Sequence, residues 1–196
     1  MASQKMKTEE LSHLSRMILD ISDKIREVIW TTNVENDNLE NLLYYIQFNM
    51  ERLFEHSIIA FRSEIPDDVV EMNVESQCRR NIYLIVKELG HNAIKHSKAS
   101  QLTLTISVED DMLVIVVKDN GIGFNSQNPE KAGMGLENIR LRIINLKGSF
   151  AIENYKGTVA IIRIPLSELS NNALKYRPNL WRSFTFDLYK YSLRSR

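Results

Sequence analysis

A single cysteine, Cys78, is all the sequence offers for thiol chemistry, which excludes an internal disulfide and leaves the fold to stand on its core. No apolar run approaches the roughly 20 residues a membrane span needs, and no signal-peptide pattern is present. A soluble chain from a reducing compartment is expected. Charge of one sign is missing too: 25 basic and 25 acidic side chains cancel, so no general surface for nucleic acid is implied. The balance hides an asymmetry, because after Ser167 six Lys or Arg stand against two acids, giving that tail +4 and residues 1–167 −4. Internal repeats, low-complexity stretches and the Gly-x-x-x-x-Gly-Lys-Ser/Thr phosphate loop are also absent. What is present is apolar material, 43% of 196 residues, enough for one domain of ordinary size with something attached.

From Leu11 the apolar residues fall at Leu14, Ile18, Ile21, Ile25 and Val28, with alternating steps of 3 and 4. That is a coiled-coil seam. A helix over residues 7–33 would be about 40 Å long, longer than it could profitably be alone, so it wants a partner in an intramolecular bundle or a dimer. Residues 33–38 then break the pattern, and Asp37 or Asn38 is placed to cap a second helix from Leu39 to about His56. Its inner face would be Leu39, Leu42, Leu43, Ile46, Met50, Leu53 and Phe54. A short strand over Ile59–Ile65 stops at Pro66, and residues 75–97 read as a third helix.

The second half is mostly strand. Leu102, Leu104, Ile106 and Val108 alternate with Thr and Ser, as in a half-buried strand, whereas Leu113–Val117 is a continuous apolar run suited to a central one. Asp110-Asp111 would turn between them. A helix over Leu136–Leu146 is expected to end on Gly148 as a left-handed cap, followed by strands Phe150–Asn154 and Thr158–Ile164 joined at Tyr155–Gly157.

Three clusters can carry chemistry. On the third helix Glu88, Asn92, Lys95 and His96 fall at i, i+4, i+7 and i+8, one polar stripe in which an Asn oxygen suits Mg²⁺, a Glu can hold water or a proton, and Lys can meet phosphate. A solvated helix face would give the same pattern. Directly after the strongest strand comes Asp119-Asn-Gly-Ile-Gly123. It reads either as a hairpin turn or as a site where the Asp119 carboxylate accepts from a purine amine while Gly121 and Gly123 admit the base. Third, Gly133-Met-Gly135-Leu136 precedes a helix, so its backbone N–H groups could cradle phosphate, and the polar stretch 125–132 before it suits a lid.

Taken in order, the Asn helix, Asp-x-Gly-x-Gly, Gly-x-Gly-Leu and Gly157-Thr158 resemble the ATP-binding domain shared by sensor histidine kinases, gyrase, Hsp90 and MutL. The likeness covers about residues 60–166. Val86-Lys-Glu-Leu, Asn92-Ala-Ile-Lys-His96, Arg26-Glu-Val-Ile-Trp30 and Asn38-Leu-Glu-Asn-Leu42 narrow it to bacterial sensor histidine kinases with a short lid, over roughly residues 10–166. The resemblance implies a Bergerat-type α/β two-layer sandwich, a mixed and mostly antiparallel sheet with three helices on one face, preceded by a long coiled-coil-like helix. It divides the chain into a dimerisation-type helix at 1–34, the second of a hairpin, a catalytic domain at 35–166 and an extension at 167–196.

By that likeness ATP is the substrate. Asn92 holds Mg²⁺ and Glu88 is the catalytic base or water holder. Lys95 and His96 lie near the phosphates, Asp119 reads adenine beside Gly121 and Gly123, Gly133, Gly135 and Leu136 shape the phosphate side, and Thr158 supports the adenine pocket. A response regulator, a homodimer in the full-length protein and a cytoplasmic location as the intracellular part of a membrane receptor are implied, without nucleic acid or membrane contact from this chain.

One departure matters. The family's acceptor histidine is followed by an acid, whereas His13 is followed by Leu14-Ser15-Arg16, so the acceptor is expected on a helix other than this one. Two rivals remain: a serine kinase of the anti-sigma-factor type, and a nucleotide-binding or dimerisation module without kinase activity of its own. Cys78 reads as a buried small residue. The aromatic and basic residues of the tail, such as Tyr176 and Trp181, carry no assigned role.

Overall fold

A computed structural model describes residues 2–33, 37–66, 69–123 and 134–170. The proposed lid, Gly133 and the tail from residue 171 lie outside the described residues, as does the side chain of His13.

Helix α1 spans Ala2–Thr32. Its seam stands open: Leu11, Ile18 and Ile25 are 66%, 58% and 54% exposed, so no described element of this chain forms the bundle that the seam would otherwise fill. Among the described side chains of α1, those buried against the rest of the chain lie in its last turns, at Glu27 and Thr31. Helix α2, Leu39–Phe54, starts where the sequence places it, because the Asn38 side chain accepts from the Asn41 N–H at 2.7 Å and satisfies one of the donors left over in a first turn. Its expected inner face is buried, except that Leu53 is only partly so.

Five strands follow: β1 (Ala60–Glu64), β2 (Gln101–Glu109), β3 (Met112–Asp119), β4 (Ser149–Asn154) and β5 (Thr158–Pro165). Their order is β1-β2-β3-β5-β4, with β1 parallel to β2 and the other pairs antiparallel. A parallel pair needs a crossover, and helix α3 (Ser76–Asn92) supplies it between β1 and β2. The apolar run of β3 is central, as its composition requires, and pairs on both sides. Asp110 and Asp111 both take positive φ, 48° and 62°, which matches the tight turn joining β2 to β3. Leu102, Leu104, Ile106, Leu113, Ile115, Ile162 and Ile164 point to the face on which α2, α3 and helix α4 (Met134–Asn145) pack.

Three expectations are corrected. α3 is regular only to Asn92; Ala93–Ser97 is a wider π turn closed by Lys98 at φ 52°, with the Ser97 hydroxyl donating to the Ala93 carbonyl at 2.7 Å. Lys95 and His96 therefore do not continue the helical phase of Glu88 and Asn92. At the end of α4 the left-handed residue is Lys147 (φ 48°), and Gly148 serves instead for close packing, since a Cβ there would lie 2.6 Å from the Arg163 carbonyl oxygen. Finally, the core runs past the boundary expected at residue 166, because Leu166 and Leu169 are both buried and the Leu169 carbonyl accepts from the Glu75 N–H. No helix among the described residues is long and apolar enough to cross a membrane.

Candidate functional site

The end of β3, the start of β2 and the β4–β5 turn converge at one end of the sheet, next to the last turn of α3. Asp119 closes β3 and is 6% exposed. Its Oδ1 accepts from the Gly121 N–H at 2.8 Å and from the Thr158 N–H at 3.2 Å. A buried carboxylate needs such donors, and because both fall on Oδ1, Oδ2 is the oxygen that can face an incoming amine. The hairpin reading of Asp119–Gly123 is set aside, since the strand beside Lys118 on that side is β5, reached only after α4 and β4.

The two glycines of this loop have separate jobs. Gly123 takes φ 80°, which an L side chain resists. Gly121 is needed for a close approach, but to the chain itself: a Cβ there would lie 2.0 Å from the Ser97 carbonyl oxygen, which also accepts from the Ile122 N–H at 2.8 Å. The loop is thereby fixed to the π turn behind Asn92. Asn120, which sequence reasoning did not single out, completes the clamp by accepting from the Ser100 and Gln101 N–H groups, each at 2.9 Å.

Glu88 and Asn92 are half-buried and one turn apart on α3. The Glu88 carboxylate reaches the start of α4, where a Cβ on Gly135 would sit 2.1 Å from Glu88 Oε1. Glycine at 135 thus makes room for a carboxylate beside first-turn N–H groups. Leu136 turns its side chain into the core at 9% exposure, so its role beside the phosphate side is to seat α4. Lys95 and His96 are exposed on the π turn.

Gly157 is as tightly placed as Gly121. It has φ 125°, and a Cβ would lie 2.0 Å from the Asp119 carbonyl oxygen. Gly157→Ala should therefore cost about 3 kcal/mol, from overpacking against backbone combined with a left-handed φ. A shift in the urea midpoint at unchanged slope would register it; a midpoint unmoved by the alanine would mean that the turn is free to relax.

His91, between Glu88 and Asn92 in sequence, is half-buried. Burial, then the ammonium groups of Lys87 and Lys95, hold its imidazole below the ordinary 6.5, with Glu88 opposing. The folded state thus binds this proton less readily than the unfolded chain, so stability rises with pH across the interval just below 6.5 and is lost on acidification. His91→Gln should shallow the fall in melting temperature between about pH 7.5 and pH 5.5; an identical slope in both proteins would count against it. Burial, with Glu75 and Glu168 adding to it, pushes the Cys78 thiol up to about 11, in keeping with an inert buried residue.

A helix-covered sheet thus carries a buried, doubly anchored Asp at the end of its central strand, with the Glu/Asn helix beside it. Residues 78–168 match the family described as histidine kinase-, DNA gyrase B- and HSP90-like ATPase. Among its relatives are the sensor protein VraS of Staphylococcus saprophyticus, 27% identical over 122 residues (59% of this chain, 35% of the relative), and the sensor histidine kinase YvfT of Bacillus subtilis, 32% identical over 123 residues (60% and 31%). The chain thus spans about a third of the length of these relatives. The fold is shared with the histidine kinase domain of the Erythrobacter litoralis EL346 blue-light activated histidine kinase, at a TM-score of 0.55 and 22% identity over 66% of this chain and 61% of that one. The catalytic domain of histidine kinase ThkA gives 0.55 and 22% over 65% and 93%.

Proposed function

We propose that this chain is the catalytic portion of a two-component sensor kinase, one that binds Mg²⁺·ATP and presents the γ-phosphate to a histidine for relay to a response regulator. The observation that carries the reading is Asp119, whose Oδ1 is held by two backbone N–H groups, so that its other oxygen is oriented toward a purine amine. The donor set on α3 suits the ion: an Asn amide oxygen and a carboxylate one turn away are hard ligands, and Mg²⁺ bound with a nucleotide takes only one or two of them. Asn92 would hold it, and when bound it neutralises phosphate charge. Phosphoryl transfer then depends on positioning. In that task Glu88 orients the attacking group and takes its proton, Lys95 and His96 lie within reach of phosphate oxygens, and the start of α4 at Gly135 offers N–H groups to them.

Residues 1–34 act as a dimerisation-type helix whose open seam is covered in a homodimer, residues 35–166 with the packed stretch beyond them bind ATP, and 167–196 extend the domain. In the cell this portion faces the cytoplasm, as part of a membrane receptor. The test is Mg²⁺-dependent ATP binding by calorimetry, followed by labelling from γ-labelled ATP in the dimer with its acceptor helix. An acid-labile, base-stable label is expected. An acid-stable one would make the chain a serine kinase, and no binding would reduce it to a dimerisation module.

A further inference from the structure

The end of α1 is fastened to α3 by groups that the nucleotide site does not use. Arg79 is 0% exposed. Its Nη2 donates to the carbonyls of Thr31 at 2.8 Å and Asn33 at 3.1 Å, and its Nη1 donates to the Val74 carbonyl at 2.7 Å and to the Asp37 carboxylate. The Thr31 and Asn33 carbonyls are among those that a helix end leaves without partners, and a cation there also meets the negative end of the helix dipole. Arg79 is thus the cap of α1, supplied by another helix. Two turns further along α3, Lys87 Nζ donates to Glu27 Oε2 at 2.9 Å. Between them Tyr83 packs on Tyr45, centroids 5.0 Å apart, and Tyr45 stacks on Trp30 at 3.6 Å and 7°. Arg79, Tyr83 and Lys87 stand at i, i+4 and i+8, one face of α3. Undocking α1 would take the Thr31 carbonyl from the buried Arg79 guanidinium and the Glu27 carboxylate from Lys87 together, so the contact breaks as a unit.

We infer that this face makes the last turns of α1 and the ATP helix α3 one mechanical body, with Arg79 and Lys87 as positioning residues, so that the orientation of α1 sets the placement of Glu88 and Asn92. The inference rests on the proposed nucleotide site. It gives the long helix a route to control that site: a twist of α1 reaches α3 through its cap and its ion pair, and by linkage ATP binding returns the same free energy to α1.

Glu27→Gln is the discriminating variant, because it keeps the shape of the side chain, lies on α1 and touches no part of the site. Hydrogen exchange of the amides over residues 88–97 should quicken about fivefold, those of β4 should stay unchanged, and the Kd for Mg²⁺·ATP should rise by a similar factor. Exchanging the charges, Glu27→Lys with Lys87→Glu, should return the exchange over residues 88–97 to its original rate. Unchanged exchange over residues 88–97 in Glu27→Gln overturns the inference, as does quickening spread evenly over α3 and β4, which is loss of stability and not of positioning. Failure of the unmutated chain to bind ATP would defeat the nucleotide reading instead, and the exchange pattern would still decide whether α1 governs α3.

Discussion

Asp119→Asn should raise the Kd for Mg²⁺·ATP about 100-fold, or roughly 2.7 kcal/mol, while leaving the fold intact. The carboxylate can accept on both sides at once, from the Gly121 and Thr158 N–H groups on Oδ1 and from a ligand amine on Oδ2. An amide has one oxygen. If Asn turns it toward the loop, its NH₂ meets the amine of the base, donor against donor; if it turns the oxygen outward, the NH₂ meets two backbone N–H groups. Either orientation loses a hydrogen bond to a charged group, about 1.5–3 kcal/mol, and adds a repulsive contact. The same logic predicts that a purine with a carbonyl in place of the amine binds the unmutated chain poorly, because two acceptors would face each other. Calorimetry with ATP and GTP on both proteins measures this directly. Equal ATP affinity in the two proteins would remove Asp119 from the base-reading role.

Much of this was legible because it is local. The alternation of β2, the apolar run of β3, the Asn38 cap and the Asp110-Asp111 turn follow from side-chain period and turn preference within a few residues. The order of the chemical motifs was likewise readable, and the structure brings the ends of β3, α3 and the β4–β5 turn together as that order implies. What escaped was set by distant contacts. Gly121 reads as space for a base, yet its missing Cβ is required by the Ser97 carbonyl, 24 residues earlier in the chain. Gly148 reads as a helix cap, yet Lys147 takes the strained φ and the glycine is needed against β5. Periodicity could not give the π turn, because a single widened turn leaves the apolar spacing of α3 almost untouched. Arg79 was invisible for a related reason: a charged residue beside a buried Cys78 looks like a surface position until its acceptors, more than forty residues upstream, are brought to it. The one hint was the block Arg26–Trp30, whose Glu27 and Trp30 are the residues that make the contact.

Glu88→Gln should separate binding from chemistry. Glutamine fills the same volume, so the space that Gly135 leaves for the side chain stays filled and α4 keeps its seat. The Kd for Mg²⁺·ATP is therefore expected to change less than about threefold, since the neutral amide removes a charge beside the phosphates without unseating the base. Phosphoryl transfer to histidine needs a group that accepts a proton or orients the attacking atom, and removing one of that kind costs about 10²- to 10⁴-fold in rate. The prediction is thus a fall of at least about 100-fold in the single-turnover rate at saturating ATP, with affinity nearly retained. Gly135→Ala makes the complementary perturbation, leaving the carboxylate in the sequence but forcing it away from the start of α4, because 2.1 Å is no distance for a carbon and an oxygen. If Glu88 acts by position, both variants should lose rate, whereas if it only neutralises or hydrates, Gly135→Ala should stay within a few-fold of the unmutated protein. A Glu88→Gln protein that transfers phosphate at an undiminished rate would take the residue out of the chemistry altogether and leave transfer to positioning by Asn92, its ion and the start of α4.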